Sequence, residues 1–191
     1  MEPALLDRWL QRLETAPFAR RVYTNWVGPP PIDLSLDATD VECALEFGMN
    51  DPALFRAIEA ITRRSGIGSF AANVHRLTAG TDHGDQWHSD VDDNRLVGLS
   101  LNMSARAYAG GSLQIADAGS RAVIADIENP TAGNAILFEI SPALVHRVGA
   151  LTAGARTVFA GWFVREPRQD EWRRGLLARL SQSDAADPPP R

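Results

Sequence analysis

A histidine and an aspartate two positions apart, His88 and Asp90 in the stretch GDQWHSDVDD, are the residues of this chain that most directly suggest chemistry. An imidazole nitrogen and a carboxylate oxygen are both good ligands for a divalent transition metal. The chain has 191 residues and four histidines, so such a motif can arise by chance and is a weak signal alone. A metal site therefore needs a third ligand from another segment.

His146, in the apolar stretch ALVHRV, is the candidate for that third ligand. A lone histidine on an apolar face is more often a core residue. Together with His88 and Asp90, however, it completes a set of two histidines and one carboxylate, which is the ligand set of non-heme Fe(II) oxygenases. Such a set leaves one face of the metal open for a chelating cosubstrate and O₂. His83 is another possible ligand, but a polar loop is the usual place of a solvated histidine.

Arg156 follows His146 by ten residues, and the segment between them reads as strand, turn and strand. If the hairpin is centred near Leu151, His146 and Arg156 are directly opposed, with Cβ atoms about 4.5–5.5 Å apart. The period of two also places Arg156 on one face with Val158, Ala160 and Trp162. A guanidinium matches a carboxylate in bidentate geometry, so Arg156 could bind the far end of a dicarboxylic cosubstrate.

Helical patterns dominate the first third of the chain. The stretch PALLDRWLQRLE places four apolar residues on one face: Leu6, Trp9, Leu10 and Leu13. The stretch NDPALFRAIEAITRRSG predicts a helix capped by Asn50 or Asp51 and ended near Gly66, with a buried stripe of Leu54, Ile58 and Ile61. Between them, VECALEF reads as a strand. A last helix is predicted over about residues 168–182, and residues 184–191 are a proline-rich tail predicted to be disordered.

From about Phe70 the sequence pattern changes from helical periodicity to short predicted strands, which are separated by turns rich in glycine, asparagine and aspartate. The predicted strands are FAANVHRL, RLVGLSLNM, GGSLQIA, RAVIADI, AILFEI, LVHRV and RTVFAGWF. Strands at this spacing indicate a sandwich or barrel. Helices followed by a β-roll predict an α+β fold. We expect a single domain over residues 1–183, with a helical N-terminal part over residues 1–69.

The motifs WHSD, LSLNMS, GGSL, GNAILFEI, VHRV and GARTVFAGWF, in this order and spacing, resemble the Fe(II)/2-oxoglutarate-dependent dioxygenases in the prolyl 4-hydroxylase-like branch. The resemblance implies a double-stranded β-helix, or jelly roll, over about residues 70–165. It also implies Fe(II) ligands at His88, Asp90 and His146. By position, Arg156 matches the residue that binds the distal carboxylate of 2-oxoglutarate, and Trp162 an aromatic residue that lines the pocket.

The resemblance implies that 2-oxoglutarate and O₂ are consumed to hydroxylate a substrate, with succinate and CO₂ released. Asp90 fills the position that halogenases of the superfamily leave open for halide, which favours hydroxylation. Many relatives have a tyrosine near 2-oxoglutarate where this chain has Leu77. His75 or Asn73, on the same strand face, could take its place.

The substrate is expected to be an amino-acid side chain of a peptide or protein, or an amino-acid-like small molecule. The loops TNWVGPPPIDLSLDATD, MSARAYAGG and ADAGSRAV are expected to select it. Four arginines could meet a substrate carboxylate, although solvation is their ordinary role: Arg95, Arg106, Arg121 and Arg147. The oligomeric state stays open.

Composition narrows the class of protein. The net charge of −5 argues against a nucleic-acid partner, which usually requires a basic surface. A single cysteine, Cys43, excludes an internal disulfide, and no apolar run is long enough for a signal peptide or membrane span. We therefore expect a cytoplasmic protein. Two alternatives remain at this point: a cupin-like protein that binds Zn or Mn without oxygenase activity, and a catalytically silent β-roll that binds proteins.

Overall fold

The computed structural model describes residues 2–23, 30–37, 39–92 and 94–165. Helix α1 (Pro3–Thr15) is followed by a short strand pair, β1 (Phe18–Val22) and β2 (Ile32–Leu36), and then by helices α2 (Thr39–Met49) and α3 (Pro52–Thr62). The remaining strands follow in one run: β3 (Ser69–Thr78), β4 (Arg95–Asn102), β5 (Ala109–Gly110), β6 (Leu113–Asp117), β7 (Val123–Ile127), β8 (Ala135–Glu139), β9 (Leu144–Val148), β10 (Leu151–Ala153) and β11 (Ala155–Val164). The predicted α+β class is confirmed.

Two antiparallel sheets form the jelly-roll core. The larger sheet has the strand order β1-β2-β3-β11-β4-β8, and the smaller has the order β7-β6-β9. Strands β5 and β10 pair separately. Strand β11 lies between β3 and β4 in the larger sheet, so its backbone is paired on both sides.

The helices cover the outer face of the larger sheet. Phe70, Phe159 and Phe163 point to this side and are fully buried, and the rings of Phe70 and Phe163 lie 4.6 Å apart. Leu13 of α1 and Ile58 of α3 belong to the same core cluster. Because side chains alternate along a strand, the opposite faces of β3 and β11 are left to line a cavity between the two sheets.

Helix α1 packs through the residues that its period predicts: Leu13 is buried, and Leu6, Trp9 and Leu10 pack partly buried against the core. Asp51 caps α3, as predicted, through a 2.7 Å hydrogen bond from the Ala53 amide. On α3, however, the buried residues differ from the predicted stripe. Phe55 and Ile58 are buried and Leu54 is half-buried, whereas Ile61 is 69% exposed, so its prediction as a core residue was wrong.

The prediction of a strand at VECALEF was also wrong, because these residues lie in α2. Glu42 and Glu46 share one helical face, as residues four apart must. Their carboxylates accept hydrogen bonds from the amides of Val74 and Ala72 at 2.6 and 3.1 Å. These amides lie beyond the short pairing of β2 with β3, so α2 satisfies strand donors that would otherwise be buried without a partner.

The part of the chain before residue 70 is not wholly helical, since β1 and β2 extend the larger sheet. Cys43 is buried, as expected. The predicted helix over about residues 168–182 and the predicted tail at 184–191 lie outside the described residues. Within the part that is described, no helix is long and apolar enough to cross a membrane.

Candidate active site

The cavity between the two sheets has a volume of about 420 Å³. The three expected metal ligands and the three expected cosubstrate contacts all line it: His88, Asp90, His146, Arg156, Trp162 and His75. Two of them come from a loop, one from the smaller sheet and three from the larger sheet. Side chains that lie far apart in the sequence therefore face one space.

His88, Asp90 and His146 converge at one end of the cavity. One potential ligand atom from each lies within 4.8 Å of the others. Nε2 of His146 is 3.3 Å from Oδ2 of Asp90, and Nε2 of His88 is 3.7 Å from Oδ1. All three side chains are mostly shielded from solvent, so two imidazoles and one carboxylate share a small, partly dry space.

Backbone pairing joins the loop to the smaller sheet at this point. The amide of His88 donates to the His146 carbonyl at 3.0 Å, and the His146 amide donates back at 2.9 Å. Nδ1 of His88 lies 2.8 Å from the Gln86 carbonyl, which can only accept a hydrogen bond. In the neutral imidazole Nδ1 therefore carries the proton, and Nε2, on the side of Asp90, is the nitrogen that could bind a metal.

Asp90 is held by groups that favour its charged form. Burial raises its pKa, but hydrogen bonds and charge from His146 and a 2.6 Å hydrogen bond from Trp162 Nε1 outweigh that effect, so the pKa lies below the usual value. Arg95 stacks on the Trp162 indole, with Cζ 3.7 Å from the ring centroid, and its Nη1 is 3.5 Å from Asp90 Oδ1. The carboxylate is thus ionised and oriented before any metal binds.

Arg156 is the most unusual cation of the described residues. It is 2% exposed, its Nη2 donates to Ser100 Oγ at 3.0 Å, and its Nε is buried with no hydrogen-bond partner. Burial lowers the pKa of the guanidinium, and neighbouring Tyr108 only partly opposes that shift. No described carboxylate lies within 4 Å of it. A buried cation without a counter-ion fits a site for an anionic ligand.

Gly111 makes room for Arg156. Its backbone has a positive φ of +68°, and a Cβ atom there would lie 3.1 Å from Arg156 Cδ and 2.9 Å from Leu151 Cδ1. The GGSL motif is therefore more than a turn, because its second glycine allows the arginine stem to pass.

The prediction that His146 and Arg156 are directly opposed in a hairpin was wrong. His146 on β9 is paired with Ile115 on β6, in the smaller sheet. Arg156 on β11 is opposite Leu77 on β3, in the larger sheet. The two side chains share the cavity because the sheets face each other. The predicted common face of Arg156, Val158, Ala160 and Trp162 does line the cavity.

His75 and Asn73 also line the cavity on the face that they share with Leu77. Nδ1 of His75 is 3.0 Å from Asp33 Oδ2, but the contact does not have the geometry of a hydrogen bond. The predicted contact of His75 with 2-oxoglutarate stays a prediction.

Several residues around the ligand candidates differ from the expectation based on the sequence. Asp33 and Tyr108 lie in two of the predicted substrate loops, whereas Tyr23 and Phe138 carry no local signal, because their position depends on which strands pair. Of the four arginines considered for a substrate carboxylate, only Arg95 lines the cavity. His83 does not line it, and its Nδ1 accepts a hydrogen bond from the Thr78 amide at 3.1 Å. Residues 24–29 and 38 of the first predicted substrate loop lie outside the described residues.

Comparison with known proteins agrees with this geometry. Residues 72–164 match the family model described as the 2OG-Fe(II) oxygenase superfamily. No curated protein matches the chain significantly.

Three solved structures are similar. One is an oxidoreductase of the 2OG-Fe(II) oxygenase family from Burkholderia pseudomallei, with 15% identity, a TM-score of 0.60, and coverage of 86% of this chain and 79% of that one. Another is IDO from Bacillus thuringiensis, with 16% identity, a TM-score of 0.52 and 86% coverage of both chains. A prolyl-4-hydroxylase from Pseudomonas putida has 19% identity, a TM-score of 0.46, and coverage of 84% and 94%. The first two share the fold of this chain.

Proposed function

This protein belongs to the 2OG-Fe(II) oxygenase superfamily, and on that premise we propose that it hydroxylates an unactivated C–H bond of an amino-acid side chain. The side chain belongs either to a peptide or protein or to a free amino acid. As a member of this superfamily, the protein is a 2-oxoglutarate-dependent non-heme iron dioxygenase that uses Fe(II), 2-oxoglutarate and O₂. The alternatives of a cupin-like protein without oxygenase activity and a silent β-roll are set aside.

We assign His88, Asp90 and His146 as the Fe(II) ligands. Their donor types suit Fe(II), and their ligand atoms already lie within 4.8 Å of one another. Bound Fe(II), together with 2-oxoglutarate and O₂, supplies the oxidation that inserts one oxygen atom into the C–H bond. The protein supplies the shape of the cavity and the orientation of the ligands.

Arg156 carries the argument for the cosubstrate. The residue is 2% exposed, lines the same cavity as the ligand candidates, and has a buried Nε without a hydrogen-bond partner. Binding the distal carboxylate of 2-oxoglutarate would supply the counter-ion and satisfy the orphaned donor. A plain metal site without a cosubstrate would leave this buried charge unpaired, which is costly.

The presence of Asp90 supports hydroxylation rather than halogenation, because its carboxylate takes the position that a halide would need. Trp162, which bonds Asp90, and Arg95, which stacks on Trp162, line the wall beside the ligands. These contacts hold the Asp90 carboxylate in place.

The test is an anaerobic titration of the protein with Fe(II) and then 2-oxoglutarate, observing the weak visible charge-transfer band of the chelate. We expect the band to appear only when both are present. A product formed under ¹⁸O₂ in high chloride should carry ¹⁸O. Failure of the metal-loaded protein to bind 2-oxoglutarate would contradict the cosubstrate assignment, and a chlorinated product would contradict the hydroxylase assignment.

A further inference from the structure

The cavity has a second charged wall, and apart from the predicted contact of His75 with 2-oxoglutarate neither the metal nor the cosubstrate assignment uses it. Strands β1 and β2 and the adjoining part of β3 contribute it. Four residues of this wall line the cavity: Arg21, Tyr23, Asp33 and His75.

Asp33 is a buried carboxylate with an incomplete set of partners. It is 8% exposed, and its Oδ2 accepts a 2.9 Å hydrogen bond from the Tyr23 hydroxyl. Its Oδ1 is buried and has no hydrogen-bond partner. Burial of a carboxylate oxygen without a donor is unfavourable, so this wall lacks a hydrogen-bond donor that a ligand could supply.

Arg21 is the cation beside it. In the antiparallel pairing of β1 with β2, Arg21 lies directly opposite Asp33, so the two side chains share one face. They form no ion pair within 4.0 Å, however, and Arg21 makes none with any other described residue. Its guanidinium instead lies over the Tyr23 ring, with Cζ 4.4 Å from the centroid.

Asp33 and Arg21 thus stand next to each other at the cavity wall without forming an ion pair, while Oδ2 of Asp33 also lies 3.0 Å from Nδ1 of His75. Tyr23 holds both apart, since its hydroxyl bonds Asp33 and its ring supports Arg21. Burial and the negative charge of Asp33 raise the pKa of the Tyr23 hydroxyl, which therefore remains a hydrogen-bond donor to the carboxylate. The arrangement is complementary to a ligand that carries an ammonium and a carboxylate on neighbouring atoms.

We propose that this wall binds the zwitterionic head group of a free amino acid, with the ammonium at Asp33 and the carboxylate at Arg21. This rests on the proposed function and sharpens it: the substrate is a free amino acid, because a residue within a peptide chain carries neither charge. The head group would be held on the β1–β2 wall, and the substrate side chain would occupy the cavity that His88, Asp90 and His146 also line.

The test uses protein loaded with Ni(II), a redox-inert surrogate for Fe(II), and with 2-oxoglutarate. Each common free L-amino acid is titrated in a calorimeter, and the tightest binder is then compared with its N-acetyl and C-terminal amide derivatives. We expect each derivative to bind at least about tenfold more weakly, since a hydrogen bond to a charged group contributes about 1.5–3 kcal/mol.

Two variants separate the two ends of the head group. Asp33→Asn keeps the hydrogen-bond acceptor for Tyr23 but loses the charge, so it should weaken binding of the free amino acid. In this variant the N-acetyl derivative should bind as well as the free amino acid, whereas the amide derivative should still bind more weakly. In Arg21→Gln the C-terminal amide should bind as well as the free amino acid, whereas the N-acetyl derivative should still bind more weakly. The matched controls are Asp37→Asn at the end of β2 and Arg20→Gln, whose exposed side chain pairs with Asp82. Neither lines the cavity, and neither should change any of these affinities.

The affinity for 2-oxoglutarate is measured in every variant and should stay unchanged, which also shows that the variant is folded. If no free amino acid binds while 2-oxoglutarate does, the inference is overturned and the proposed oxygenase function stands. Equal or tighter binding of the N-acetyl derivative, of the amide derivative or of a peptide also overturns it. Loss of 2-oxoglutarate binding by the unmodified protein is a different failure, because it contradicts the proposed function itself.

Discussion

The indole nitrogen of Trp162 donates a 2.6 Å hydrogen bond to Oδ2 of Asp90 and thereby joins the central strand β11 to the loop that carries two of the three metal-ligand candidates. The same oxygen lies 3.3 Å from Nε2 of His146. Because β11 is paired on both sides, Trp162 is a rigid anchor for the carboxylate. The geometry of the ligand set therefore depends on a residue that is not itself a ligand.

Trp162→Phe should weaken metal binding about 10- to 100-fold, which is typical of the loss of a hydrogen-bond partner of a ligand. The substitution keeps an aromatic ring beneath Arg95 and removes the N–H donor. Calorimetry with Ni(II) and the apoprotein measures the change. Trp9→Phe in α1, far from the cavity, is the control and should have no effect. An unchanged affinity in Trp162→Phe would show that Asp90 is held by other contacts.

Alanine substitution of His88, Asp90 or His146 should each sharply lower the affinity for Fe(II), because each removes one of three ligands. His83→Ala should leave it unchanged, since His83 is bonded to the Thr78 amide and does not line the cavity. Anaerobic metal titration of the four variants is the measurement. The ligand assignment is wrong if His83→Ala abolishes binding while His146→Ala does not.

Arg156→Ala should weaken 2-oxoglutarate by roughly one and a half to three and a half orders of magnitude. Removing one partner of a desolvated charge pair costs about 2–5 kcal/mol, and about 1.4 kcal/mol corresponds to a factor of ten. Arg156→Lys should recover part of the affinity, because it keeps the positive charge but loses the planar guanidinium that binds a carboxylate in bidentate geometry.

Calorimetry, first with metal and then with 2-oxoglutarate, separates the two binding events. Metal affinity should barely change in either Arg156 variant, since Arg156 is not a ligand. Unchanged 2-oxoglutarate affinity in Arg156→Ala would remove this residue from the cosubstrate site.

Gly98→Ala should disturb the metal centre although Gly98 touches no ligand candidate. A Cβ atom at Gly98 would lie 2.2 Å from the Phe138 ring on the neighbouring strand, and that ring packs on His146 with a centroid distance of 4.7 Å. Overpacking of this kind costs about 1–3 kcal/mol. We expect a lower unfolding temperature together with weaker Ni(II) binding. Gly48→Ala in α2, where a Cβ meets nothing within 4 Å, is the control. Normal Ni(II) binding by Gly98→Ala would show that Phe138 moves away from His146.

Much of the candidate site could be predicted from the sequence because it depends on local periodicity. A period of two placed Arg156 and Trp162 on one strand face, and the structure keeps both in the cavity. The proximity of His88 to Asp90 follows from two residues of spacing. The superfamily prediction is also confirmed. It depended on the order of the short motifs along the chain, which is a property of the sequence alone.

The relative placement of distant strands was decided only by the tertiary structure. The same short connection between His146 and Arg156 is compatible with a hairpin, but β9 pairs with β6 and β11 pairs with β3 and β4. The VECALEF segment was assigned the wrong element because a short apolar run fits strand and helix alike. Its two glutamates find their role only once α2 lies on β3.

The charged wall of Arg21 and Asp33 likewise has no local signal, since it depends on the pairing of β1 with β2 across 12 positions of the sequence. Local spacing determines which face of its own strand a side chain occupies. Which strands are neighbours, and therefore which faces meet across a cavity, depends on long-range hydrogen bonding and on the burial of the common core.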